Sequence, residues 1–103
     1  MTVTETYERI RETITFARDS KLDGVPIRVT LAAEKYDVSH ATLQRWAKKG
    51  LIKVLRRGPK LLELDEADVK RASQIFHKAV EYVPKRKASW ILKRALQASQ
   101  TGE

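Results

Sequence analysis

Cysteine is absent from this chain. That excludes disulfides and cysteine-ligated zinc, and it suits a reducing cytoplasm. Histidine occurs only twice, so a metal centre is not expected, and no cofactor-binding motif is present. Four glycines and three prolines are spread over 103 residues, 42 % of them hydrophobic. This composition belongs to a chain that folds, with one modest core. No apolar run approaches the ~18 residues that suggest a membrane span. The first ten residues, MTVTETYERI, contain no secretory core. A cytoplasmic, nucleoid-associated protein is expected, without membrane attachment.

Acidic residues are missing in two places. The net charge is +8, but residues 38–62 alone hold seven bases and no acid. Residues 82–103 hold five bases with Glu103 as the sole acid, whereas 1–37 and 63–81 sum to −1 and −2. Positive charge concentrated in this way is the electrostatic footprint of a polyanion-binding protein.

The first basic block overlaps the most structured stretch of the sequence, Leu31 to Ile52. Leu31, Ala32 and Tyr36 trace one apolar stripe, and Val38-Ser39 breaks it. Ser39 is a good N-cap, because its hydroxyl can accept a free backbone N–H of the next helix. Leu43, Trp46 and Ala47 then recur at the spacing of a buried helix face. Gly50 stands where the helix end needs left-handed backbone. The opposite face presents Ala41, Gln44, Arg45 and Lys48, with His40 at its edge. Glutamine can make two hydrogen bonds to adenine, and arginine two to guanine. The pattern is that of a recognition helix over 40–49.

At this point the run from Val29 to Ala79 resembles the MerR/excisionase superfamily of winged helix-turn-helix DNA-binding domains. The residues that carry the resemblance are Leu31-Ala32-Ala33, Val38-Ser39, Thr42-Leu43, Arg45-Trp46 and Gly50-Leu51-Ile52. Arg57-Gly58 and Glu66-Ala67-Asp68-Val69 continue it, over about half the chain. Gln44-Arg45-Trp46 replaces the usual Arg-Tyr-Tyr, and no long dimerising helix or cysteine-bearing sensor domain follows. The resemblance implies DNA binding, not metal or drug sensing. The expected fold is mainly α with a small β-hairpin wing. Extra helices are expected at both ends: residues 1–28 as amphipathic helix and linker, 29–83 as the DNA-binding domain, 84–103 as a basic helix and tail.

In residues 4–20, Tyr7, Ile10, Ile14 and Ala17 form an apolar stripe, with Thr4 as cap and Phe16 beside it. Val25 to Val29 reads as extended, and Thr30 as the N-cap of the following helix, which the resemblance places behind the reader. Leu51 to Arg56 has strand character, Arg57-Gly58-Pro59-Lys60 is a turn, and Leu61 to Leu64 returns. Lys53, Arg56, Arg57 and Lys60 are expected to cluster near the hairpin tip. Asp65 caps a long helix whose buried stripe runs through Val69, Ala72, Phe76, Ala79, Val80 and Val83, with Ile75 beside it. Its residue His77 is expected at the surface or the core edge. Pro84 interrupts. Ala88, Ile91, Leu92, Ala95 and Leu96 trace a last amphipathic helix, with Trp90 off the stripe and fraying expected from Gln97.

The expected function is sequence-specific binding of double-stranded DNA, without chemistry, as a transcriptional regulator. His40, Ala41, Gln44 and Arg45 would face base edges in the major groove, and Ser39 and Thr42 are counted with them as DNA-binding. Lys48, Lys49, Lys53, Arg56, Arg57 and Lys60 would meet phosphates or the minor groove. One helix reads few base pairs, so a homo-oligomer or cooperative copies on DNA are expected. No catalytic constellation is visible. Two readings compete. One is a phage or mobile-element excisionase, architectural or small-terminase-type factor, which resembles the same domain. The other is a protein-interaction module using the C-terminal helix around Trp90, a helix that could instead pack on residues 4–20, make a dimer contact, or, being basic with an aromatic residue, lie on a membrane surface. RNA is disfavoured, since no exposed aromatic platform is evident from the sequence.

Overall fold

The computed structural model describes residues 5, 7–9 and 19–100, with the backbone alone for 98–100. Contacts divide the chain into two compact units, Arg18–Ser73 and a second that joins Met1–Ala17 to Gln74–Glu103. The architecture is mainly helical, with one small three-stranded antiparallel sheet.

The Arg18–Ser73 unit opens with a 3-10 turn at Ser20–Leu22, where the Asp19 carboxylate accepts the Lys21 N–H. Strand β1 (Pro26–Arg28) follows, and helix α1 (Val29–Tyr36) begins at once. Helix α2 spans His40–Lys48. Strands β2 (Val54–Gly58) and β3 (Leu61–Asp65) form a hairpin closed by Pro59 and Lys60. The strand order is β1-β3-β2, so β3 is the central strand and β1 covers its other edge. Helix α3 (Glu66–Ala79) leaves β3 without an intervening loop.

That junction is held by Asp65, which is 1 % exposed. Its Oδ1 accepts the Ala67 N–H at 3.0 Å, the N-cap bond expected of it. Its Oδ2 accepts the Gly24 N–H at 3.2 Å. The Asp65 N–H donates to the Lys53 carbonyl, and the Glu66 N–H to the Val25 carbonyl. One buried carboxylate and the backbone around it thus join the loop before β1, the foot of β2 and the start of α3.

Four expectations are corrected in this unit. Helix α1 is capped at Arg28, not Thr30, and starts at Val29. Pairing of β1 with β3 carries the extended backbone only as far as Arg28, and burial of Val29 fixes the helix register. The apolar stripe is therefore Val29, Ala32, Ala33 and Tyr36, and Leu31 is 55 % exposed rather than buried. Leu51 and Ile52 lie in a bend before β2, with Ile52 as a buried plug, and the hairpin turn narrows to Pro59-Lys60. A register shift between Val54 and Arg56 marks a bulge in β2.

In the second unit, Ile75, Phe76 and Ala79 of α3 are buried, and His77 is half-buried with its ring edge-on to Phe76. The helix stops at Ala79, so Val80 and Val83 belong to the turn that follows rather than to a helical stripe. Pro84 separates it from α4 (Lys85–Gln100), and its carbonyl accepts the Lys87 and Ala88 N–H groups. All five residues of the expected α4 stripe are buried. The helix continues through Gln100 instead of fraying at Gln97. Tyr7 is buried in the same unit, with the Arg94 guanidinium 5.7 Å from its ring centre. Thr4, Ile10, Ile14, Phe16 and Ala17 lie outside the described residues.

Candidate nucleic-acid interface

The turn between α1 and α2 is three residues long, Asp37-Val38-Ser39. Asp37 takes the left-handed conformation, φ 52°, and its N–H closes on the Ala33 carbonyl. Aspartate tolerates this backbone better than most residues because its short polar side chain can bond locally. Val38 is buried and anchors the turn. The Ser39 Oγ then accepts the Thr42 N–H at 3.1 Å and donates to Thr42 Oγ1 at 2.7 Å. Arg45 Nη2 donates to the same Thr42 oxygen at 3.3 Å. Ser39 and Thr42 therefore serve the helix end and orient Arg45.

Leu43, Trp46 and Ala47 bury one side of α2, which leaves His40, Ala41, Gln44, Arg45 and Lys48 exposed on the other. Lys49 is the C-cap and is exposed. Gly50 follows at φ 77°, with open space around it. Its backbone angle, not a lack of room, is what favours glycine there.

The hairpin cations are less clustered than expected. Lys53 lies before β2, at the foot of the hairpin, where its N–H donates to the Asp68 carboxylate at 2.8 Å. At ~3.3 Å per residue that is roughly 20 Å from the turn. Arg56 and Arg57 are consecutive in β2 and so point to opposite faces. Arg56 meets Glu63 across the hairpin at 3.6 Å. Lys60 is the cation at the turn itself. Among the described residues, no carboxylate forms an ion pair with Lys48, Lys49, Lys53, Arg57 or Lys60.

An open groove of about 360 Å³ joins the two parts, with His40 and Gln44 of α2 on one wall and Pro59, Lys60, Leu61 and Leu62 on the other. Arg28, Val29 and Thr30 complete the lining. Arg28 was not singled out from the sequence. It reaches the groove only because β1 pairs with β3, and no local signal marks that long-range pairing.

A polar cluster joins α1 to the start of α3. Glu66, 6 % exposed at the start of α3, accepts hydrogen bonds from Lys35 Nζ and Tyr36 Oη of α1. Burial pushes its carboxyl up, but the two donors outweigh that and hold it below the ordinary value of 4.5. Burial and the nearby Glu66 carboxylate keep the Tyr36 phenol protonated well above the usual tyrosine range. A lowered carboxyl stabilises the fold above its unfolded value, and that contribution disappears as pH falls through the folded value. The stability difference between wild type and Glu66→Gln is expected to be constant from pH 7 to about 5 and to shrink below about 4.5. Urea unfolding across that range checks it. A difference independent of pH would show that the charge of Glu66 does not matter.

Among the described residues, no group of three or more His, Asp or Glu side chains is placed to hold a metal ion. No helix there is long and apolar enough to cross a membrane. Comparisons with protein-family models, curated proteins and solved structures find no significant match.

Proposed function

We propose that this chain binds double-stranded DNA in the manner of a winged helix-turn-helix protein of the MerR/excisionase kind, as a regulator of transcription. Helix α2 enters the major groove, and the β2–β3 hairpin acts as the wing on the backbone or the adjacent minor groove. The observation that carries this reading is the shared groove. It sets the outer side of α2 beside the hairpin turn, and its charged lining residues, Arg28 and Lys60, are both basic.

Gln44 and Arg45 are the side chains suited to base edges, while Lys48, Lys49, Arg57, Lys60 and Arg28 suit phosphates. Lys53 and Arg56 are secondary, the first by its distance from the turn and the second by its partner Glu63. A surface of this size reads a short site, so useful specificity requires a second copy or a row of copies on the DNA.

Fluorescence-anisotropy titration with duplex DNA at several salt concentrations tests the reading. Four to five phosphate contacts predict that log K falls against log salt with a slope of about −4. Absence of binding at low salt, or a slope near zero, would overturn it.

A further inference from the structure

Helix α4 carries a second basic surface that the proposed duplex interface does not use. Its buried side holds Ala88, Ile91, Leu92, Ala95 and Leu96, each at most 3 % exposed. Trp90 lies on the opposite side and is 48 % exposed. Arg86, Lys87, Lys93 and Arg94 stand four and three residues before it and three and four after it, and all are exposed. On a helix these are the positions that surround a side chain. Arg94 also faces the Tyr7 ring, which leaves Arg86, Lys87 and Lys93 as the uncommitted cations. Among the described residues, cations lie over the rings of Tyr36, Tyr82 and Tyr7, and none over Trp90. No acidic residue occurs from Tyr82 to Gln100.

We infer that this face of α4 binds single-stranded nucleic acid, with an unpaired base stacked on Trp90 and the flanking phosphates held by Arg86, Lys87 and Lys93. An exposed aromatic ring among cations is the pairing that single-strand sites use, because every base has a π-face and every linkage a negative charge. A protein partner fits less well. Protein interfaces have an apolar centre depleted of lysine, and here one ring stands among charges. A membrane surface fits less well too. The apolar side that an amphipathic helix would insert is already buried in the fold, leaving Trp90 alone to enter lipid. The inference does not depend on the duplex interface of α2.

The full-length chain titrated with a short oligothymidine at low salt tests it, read by tryptophan fluorescence and by anisotropy of the labelled strand. Trp46 is 2 % exposed, so quenching reports on Trp90. Quenching is expected to saturate with binding. Trp90→Ala should weaken binding on the order of tenfold or more, while Trp90→Phe keeps most of it. Arg86→Glu/Lys93→Glu should lose binding while the melting temperature stays unchanged. Arg45→Glu/Lys48→Glu should keep oligothymidine binding even where duplex binding fails, which separates this site from the other. Three results would overturn the inference: no quenching by oligothymidine, binding by Trp90→Ala equal to wild type, or quenching only by polyglutamate or anionic vesicles. Equal losses on duplex and single strand in Trp90→Ala would also overturn the single-strand assignment.

Discussion

Truncating Trp46 to alanine is expected to remove about 3–5 kcal/mol of stability, the usual cost of deleting a large buried aromatic. Trp46 is 2 % exposed and shares the buried side of α2 with Leu43 and Ala47. No smaller side chain can refill that volume without moving the helix, and a domain of this size has only about 5–15 kcal/mol in total. The variant should unfold at much lower urea by far-UV circular dichroism. Duplex binding should fall with the folded fraction, because α2 cannot present Gln44 and Arg45 unless its other side is docked. Leu31→Ala is the informative control. Periodicity in the sequence places Leu31 on a buried stripe, yet at 55 % exposure its truncation should change stability by no more than about 0.5 kcal/mol. If Leu31→Ala were as damaging as Trp46→Ala, the register of α1 would be wrong.

The largest effect on binding is expected from Arg45→Glu/Lys48→Glu. Both side chains are exposed on the outer side of α2, and neither forms an ion pair with a described residue. Stability should therefore hold within about 0.5 kcal/mol, apart from the exposed bond between Arg45 and Thr42. Losing a bidentate base contact costs ~1–3 kcal/mol. Removing a phosphate contact adds to that, and two new negative charges repel the backbone. Affinity for duplex DNA should drop by about two to three orders of magnitude at low salt. The salt slope should shrink by about one to two units, since fewer counterions are released. Anisotropy titrations of both proteins on one duplex measure the loss and the slope together. Unchanged duplex binding would remove α2 from the interface and favour a chain that works through the outer side of α4.

The sequence by itself determined what neighbouring residues can decide. Ser39 as N-cap, Gly50 in left-handed backbone, Asp65 as the start of α3 and Pro84 as the break before α4 are local chemistry. Each involves partners only a few residues away, so spacing is enough to read them. The buried sides of α2 and α4 were legible for the same reason, because helical periodicity is local. The whole outer side of α2 was named from that periodicity, and these residues are exposed as read.

Only the tertiary structure decided what depends on pairing across the chain. Arg28 enters the groove because β1 pairs with β3, some 35 residues further on. The same pairing sets where α1 begins, which turned Leu31 outward and drew Val29 in. Lys53 sits at the foot of the hairpin because its backbone bonds to Asp68 on α3. The bonds from Lys35 and Tyr36 to Glu66 join α1 to α3 across 31 and 30 residues. Trp90 was already off the apolar stripe in the sequence, but only the packed fold shows its ring open among cations. Strand partners and long-range polar contacts are chosen by the free energy of the assembled fold, and no local window of sequence contains both members.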